Sequence, residues 1–210
     1  FSALVTVDTG ERRMKLLFDA GMSVFGALHN MDVLGTDPRE LDAVVLSHGH
    51  VDHTQGLAAI LERRKGEPID VHLHPDAFLQ RRLVMPDGQV FVTPAPDREC
   101  LEKLGARFVE HRGPSLLFGA TAMLTGEIDR VSTFEKGLPV HQSMVEGNWT
   151  CDPLIMDDQA LVLDIRGKGL AVMTGCGHAG AINTLLCART LAGGRPLHAF
   201  LGGLHLTGPT

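Results

Sequence analysis

The sequence has no run approaching the roughly 18–20 consecutive apolar residues that a bilayer crossing needs, so no membrane span is expected. Cysteine is scarce and unpaired in pattern: Cys100, Cys151, Cys176 and Cys187 form no C-x-x-C. In a chain of 210 residues that argues against a disulfide scaffold and for reduced thiols in a cytoplasmic protein. The first residues, Phe1-Ser2-Ala3-Leu4-Val5-Thr6-Val7, carry no basic segment and no cleavage pattern, so they do not read as a signal peptide. Positive charge is also short: 19 Lys and Arg stand against 25 Asp and Glu, a formal net charge of −6. Unselective phosphate-backbone binding needs basic surface, so no nucleic-acid partner is expected. No internal repeat, low-complexity tract or long linker divides the chain, and one domain over residues 1–210 is the expectation.

What is present is ordinary globular composition, 44% hydrophobic and 21% charged, enough apolar surface to exclude disorder as the main state. Two residue types stand out, 24 glycines and 11 histidines. Ala3–Val7 and Met14–Phe18 read as a hairpin around Asp8-Thr9-Gly10-Glu11. Ala43-Val44-Val45-Leu46 is wholly apolar, as suits a strand buried on both faces. Leu57, Ala58, Ile60 and Leu61 have helical spacing, ending near Gly66. Ile69, Val71 and Leu73 alternate as a strand, and Pro75-Asp76 opens a predicted helix. Residues 85–157 are rich in turn signals and carry little periodicity beyond a helix near Leu101 and Leu104. Order returns with strands at Ala160–Ile165 and Leu170–Met173, an amphipathic helix through Ile182, Leu185 and Leu186, and a strand at Leu197–Leu201. Helices alternating with short buried strands imply a layered α/β domain. Such folds place their chemistry in loops at the carboxyl ends of strands.

Two polar loops occupy such positions. The first, His48-Gly49-His50-Val51-Asp52-His53, packs four potential metal ligands into six residues between a buried strand and a helix. Imidazole nitrogen and carboxylate oxygen suit zinc and other first-row divalent ions. His48 and His50, two apart in an extended loop, can point to one side, while Asp52 and His53 at a helix start can serve a neighbouring position. The second loop is Gly175-Cys176-Gly177-His178, and Gly202-Gly203-Leu204-His205 follows the last strand.

The segment from Leu46 to Leu57 resembles the signature of the metallo-β-lactamase fold superfamily, and Leu17-Phe18-Asp19-Ala20-Gly21 resembles its "L-x-D-x-G" strand end. Asp157–Leu161, Thr174–Gly180, Gly202–Leu206 and Thr125–Arg130 resemble a subgroup named after a dihydropterin-linked ribofuranosylaminobenzene 5′-phosphate synthase. The resemblance implies an α/β fold of four layers, an αββα sandwich short of its terminal elements, with one or two divalent metal ions at the sheet edge. Zinc is the first expectation, manganese or iron the next. It implies His48, His50, Asp52, His53 and His178 as metal ligands, and Asp52 and His205 as catalytic residues. Cys176 stands where many relatives place a bridging Asp, so it is either a thiolate ligand or a buried structural thiol. Asp157 and Asp158 fall where the superfamily has a further histidine, but a turn or cap role is expected of them. Subgroup members continue to a strand ending in another histidine, a ligand that would lie beyond Thr210.

The remaining polar residues read more plainly. Asp19 is expected to support the metal loop as a hydrogen-bond acceptor. At most one of His72 and His74 should edge near the pocket. His29, His111, His141 and His198 look isolated. Glu127 and Arg130 shape the substrate entrance or form surface ion pairs. Arg12-Arg13 and Arg81-Arg82 read as solvated faces, although arginine suits a substrate phosphate. The activity expected is metal-dependent hydrolysis of an ester, lactone or phosphoester of a small, possibly phosphorylated, molecule. The alternatives are the subgroup's condensation of a pterin with a ribosylated aminobenzene phosphate, and a non-catalytic metal-binding module.

Overall fold

A computed structural model describes residues 1–205. The N-terminal hairpin forms as the alternation predicts: β1 (Ala3–Asp8) pairs antiparallel with β2 (Arg13–Phe18), Ala3 opposite Phe18. Helix α1 (Gly26–Val33) precedes β3 (Ala43–Val45), and the first polar loop leads into α2 (Val51–Thr54) and α3 (Leu57–Arg63). Then come β4 (Ile69–Leu73), β5 (Arg81–Val84), β6 (Val90–Thr93), α4 (Arg98–Lys103) and β7 (Ala106–Glu110). The chain continues through β8 (Ser115–Leu117), β9 (Ala122–Leu124), β10 (His141–Val145) and β11 (Asn148–Cys151). The described part closes with β12 (Leu161–Ile165), β13 (Gly169–Thr174), α5 (Ala181–Leu191) and β14 (Leu197–Gly202). Pro75-Asp76 opens only a short 3-10 turn, Pro75–Phe78, before Leu79 returns to extended backbone.

Among the described residues, two sheets stack face to face. One runs β1-β2-β3-β4-β7 and the other β14-β13-β12-β9-β8. The period-2 alternation of each strand decides which layer its side chains enter. Leu16, Phe18 and Val45 point between the sheets and meet Leu117, Leu124 and Leu161 there. Leu17, Val44, Ile69, Val71 and Leu73 point outward and are covered by Met31 of α1, Leu57, Ile60 and Leu61 of α3, and Leu101 of α4. Val162, Leu170 and Val172 point to the far face and pack with Ala188 of α5. The result is the four-layer αββα sandwich that the sequence implied. Phe18 is fully buried in the inter-sheet layer. Its truncation to Ala would cost about 3–5 kcal/mol by the usual large-to-small core scale.

The poorly patterned middle of the chain forms something the sequence did not announce. There, β5, β6, β10 and β11 make a separate small sheet in the order β11-β10-β5-β6. All of its pairings are antiparallel, with His141 opposite Leu83 and Arg81 opposite Thr93. This third sheet stands beside the polar loops and supplies one wall of the cavity described below.

Candidate metal centre and its cavity

β2 and β3 run parallel, and both end at the same edge of the first sheet. Asp19 follows β2 directly and adopts a positive φ of 61°, a region that Asp tolerates better than most residues. That turn aims its carboxylate at the loop leaving β3. Asp19 Oδ1 accepts the Ser47 amide at 2.7 Å, and Oδ2 accepts the Ser47 hydroxyl at 2.8 Å. His53 Nδ1 donates to the same Oδ2 at 2.6 Å. Asp19 thus fixes both ends of the first polar loop, as expected of it. Gly49 permits a close backbone crossing: a Cβ there would lie 2.0 Å from the Ala77 carbonyl oxygen. Gly175 does the same where the second loop docks on the first, since a Cβ would lie 2.0 Å from Ser47 Oγ.

Asp157 and Asp158 have roles larger than a turn or cap. Asp157, fully buried, accepts the Gly49 amide at 2.8 Å and takes a two-pronged contact from Arg81, 2.8 Å and 3.2 Å. Arg81 also donates to Asp152 at 3.1 Å. Its expected solvated position is therefore wrong: Arg81 is 3% exposed. It faces inward because Asp157 and Asp152 are the carboxylates that can neutralise it there. Burial pushes the Asp157 carboxyl up, against the pull of Arg81. Asp158 accepts the Ala179 amide at 2.8 Å, tying down the residue after His178. Its other oxygen lies 4.0 Å from His48 Nδ1 and makes no hydrogen bond. Burial raises its pKa to about 7.

These supports bring together the histidines implied as ligands, whereas Asp52 falls in none of the converging groups and stands beside His53. Ligand atoms of His48, His50 and His178 all lie within 4.8 Å of one another, as do those of His48, His53 and Cys176, and those of Cys176, His178 and His205. His178 Nε2 is 3.2 Å from His50 Nδ1, and His53 Nε2 is 3.1 Å from both Cys176 Sγ and Asp52 Oδ2. His48 Nδ1 is held 2.9 Å from the Ser47 hydroxyl, while its Nε2 is sealed from solvent with no partner.

The titrating groups split in two directions. Burial holds His48, His50 and His178 below the ordinary imidazole range, reinforced by neighbouring cationic groups, with His50 lowered to about 3. Burial also works against charge on His53, but hydrogen bonds with Asp19, Asp52 and Cys176 outweigh it and push its pKa up to about 11. Burial of Asp52 is likewise outweighed by the hydrogen bond with His53, so its carboxyl stays below its usual range.

The donor set fits a divalent cation. Imidazoles and a thiol converge, with the Asp52 carboxylate beside His53, and the sealed Nε2 of His48 has no protein partner. Nitrogen, sulfur and oxygen donors in this proportion suit zinc and its first-row neighbours. The group opens on a cavity of ≈ 210 Å³ lined by His50, Asp52, Leu83, His141, Cys176 and His205 among others. His205 stands at the exposed rim, its ring 4.5 Å from that of His178.

Other residues fall elsewhere. His74 is buried against Glu127, 3.0 Å away, and Glu127 also meets Arg112. His72 stacks on His111 with nitrogens 3.1 Å apart. Arg130 donates to the carbonyls of Ile128 and Leu154, an internal tie rather than an entrance. Arg82 stacks on Trp149 and donates to Gln142. His141, which looks isolated in the sequence, is the residue sequence reasoning missed. It is 5% exposed, and its ring stacks on His50 at 5.5 Å. The signal was absent because no neighbouring residue in the chain belongs to the same cluster.

No helix among the described residues is long and apolar enough to cross a membrane. Residues 14–106 match the beta-lactamase superfamily domain. A 7,8-dihydropterin-6-methyl-4-(beta-D-ribofuranosyl)-aminobenzene-5'-phosphate synthase of Methanocaldococcus jannaschii is 30% identical over 208 residues, covering 98% of this chain and 70% of the relative. A solved metal-dependent hydrolase of the beta-lactamase superfamily superposes with a TM-score of 0.73 at 24% identity, covering 98% of this chain and 76% of that one. A quorum-quenching N-acyl homoserine lactone lactonase shares the fold at a TM-score of 0.51 and 14% identity, over 95% of this chain and 77% of that one. The chain belongs to the beta-lactamase superfamily, of metallo-β-lactamase fold, in the group that includes the dihydropterin–ribofuranosylaminobenzene phosphate synthase.

Proposed function

We propose that this chain is a metal-dependent hydrolase of a small ester, lactone or phosphoester, with one or two divalent ions, zinc first, held by His48, His50, Asp52, His53 and His178. The observation that carries the reading is the convergence of the His48, His50 and His178 imidazoles, with His48 Nε2 sealed and partnerless, beside an open cavity that His50 and His178 line. When bound, a divalent cation there supplies Lewis acidity and eases deprotonation of water near neutral pH. The protein's own residues do the rest. The Asp52 side chain is 41% exposed and kept ionised, so it can accept a hydrogen bond from an attacking water and orient it. We assign His205, exposed at the rim beside the His178 ring, to the substrate's leaving side. Asp19 holds the His53 ring and the Ser47 hydroxyl holds the His48 ring, each through its Nδ1. Cys176 Sγ, beside His53, is a candidate sulfur ligand.

A second reading is condensation of a pterin with a ribofuranosylaminobenzene phosphate. It is favoured by the synthase relative, whose similarity runs over 98% of this chain. One experiment separates the two. Zinc-reconstituted protein is offered esters, lactones and phosphoesters in ¹⁸O-labelled water, and separately a pterin diphosphate with the ribosylated aminobenzene phosphate. Label in the product supports hydrolysis. A joined pterin product without label supports condensation. Full metal occupancy with neither product leaves a binding module and overturns both.

A further inference from the structure

We propose that His141, on the third sheet, is a substrate-contacting residue that sets specificity in the metal cavity without being a metal ligand. The proposal rests on the enzymatic reading above and deepens it.

Four observations converge. His141 is 5% exposed, yet it lines the cavity together with His50, Cys176, His178 and His205. Its ring lies 5.5 Å from that of His50 and 5.7 Å from that of His178, so it is packed into the wall of the site. It belongs to none of the groups whose ligand atoms lie within 4.8 Å of one another, which sets it outside the donor cluster. Finally, the hydrogen bonding of its ring is incomplete. Nδ1 makes no hydrogen bond, and the hydrogen-bonding neighbour of the ring is the Leu138 backbone.

An imidazole that lines a cavity with its hydrogen bonding incomplete can bond a polar group of what enters there. His141 sits opposite Leu83 on the β5–β10 pairing, and Val51 and Leu83 line the same cavity. The cavity therefore sets the His141 ring beside the apolar Val51 and Leu83, with Arg81, Arg82 and Thr93 of the third sheet on the same wall. That pairing suits a substrate with a hydrogen-bonding group next to its reacting centre and a compact apolar or planar part behind it. Polar groups of this kind give discrimination, because an analogue lacking the matching group leaves them unpaired.

The test uses zinc-loaded protein and phenylphosphonate, a non-hydrolysable aromatic probe, with binding read by calorimetry and metal content by elemental analysis. His141→Ala and His141→Phe should keep full metal content and weaken probe binding about tenfold or more, the scale of losing one good hydrogen bond to a bound ligand. His141→Gln, which keeps a polar group of similar reach, should recover part of that loss. It also serves as the informative variant should the other two misfold on thermal melting. In any productive assay found, the loss should fall mainly on KM for substrates that carry the matching polar group. Unchanged affinity in folded, fully loaded variants overturns the proposal and leaves the hydrolase reading standing. Loss of metal in His141→Gln also overturns it, by making His141 a ligand. A wild-type protein that takes up zinc but binds no probe overturns the phosphoester reading and this proposal with it.

Discussion

The loops Ser47–His53 and Gly175–His178 face each other across one cavity, but they are held by different means. The first is tied to the fold at every turn. Asp19 takes the Ser47 amide, the Ser47 hydroxyl and the His53 ring, and Asp157 takes the Gly49 amide while Arg81 neutralises it. The second is anchored through its backbone, by Asp158 on the Ala179 amide and by the Gly203 amide on the Gly175 carbonyl, and its side chains reach the first loop. His178 reaches His50, and Cys176 reaches His53. His205 stands at the rim against the His178 ring. The scaffold therefore fixes rings of the first loop through side-chain hydrogen bonds and the second loop through its backbone.

Four results would break or sharpen this contrast. His48→Ala should have the largest effect on function, removing bound metal and activity by more than the roughly 10–100-fold that loss of a supporting residue costs. The fold should survive, as circular dichroism would check, because His48 is not part of the apolar layers. Next in size, Arg81→Ala leaves Asp157 charged, buried and unpaired, and should cost about 3–5 kcal/mol in denaturant unfolding. A loss below about 1 kcal/mol, the range of an exposed pair, would mean that Asp157 is carried neutral and that the first loop does not depend on the pair. Third, Asp19→Asn keeps the shape but weakens the acceptor shared by Ser47 and His53. Metal affinity should fall by about 10–100-fold. His205→Ala, at the exposed rim, should cost less than either change in affinity. If it matched Asp19→Asn, the rim and the first loop would be equally structural and the contrast would fail.

Acidity gives a further check. His50 has its folded pKa depressed to about 3, and His48 and His178 are depressed in the same direction by burial. The unfolded chain binds protons at these groups near the ordinary value of about 6.5 and the folded chain does not. Their contribution to stability is therefore present above about pH 6.5 and is lost as pH falls from there toward 3. Metal affinity should fall over the same window, since protons compete for the ligand nitrogens. Thermal melting of chelator-treated protein against pH would reveal the first effect. Asp158, raised to about 7, titrates in the same window with the opposite sign, so the scan is made on Asp158→Asn protein, where a melting temperature flat from pH 7 to pH 4 would contradict it.

How much of this was legible in the sequence varies by region, and for physical reasons. The first loop was readable because its donors are contiguous and stand between a wholly apolar strand and a helix. The layers were readable because Leu16, Leu17 and Phe18, like Val44 and Val45, alternate between two apolar environments. Asp157 and Asp158 looked like turn residues because their partners, Arg81, Gly49 and Ala179, are distant in the chain. Arg81 looked solvated for the same reason. The third sheet was unreadable because its strands are only four or five residues long and no single apolar face dominates them. His141 vanished with it: an isolated histidine acquires meaning only when β10 pairs with β5 beside the metal loops.

The central claim is that a divalent cation sits among His48, His50, Asp52, His53, Cys176 and His178. Anomalous diffraction from crystals of the purified protein, collected on either side of the zinc edge, tests it directly. The account predicts one or two peaks, each about 2.0–2.3 Å from nitrogen, oxygen or sulfur atoms of those residues. A map with no peak there, from protein that was never exposed to chelator and whose rings stand apart, would contradict it.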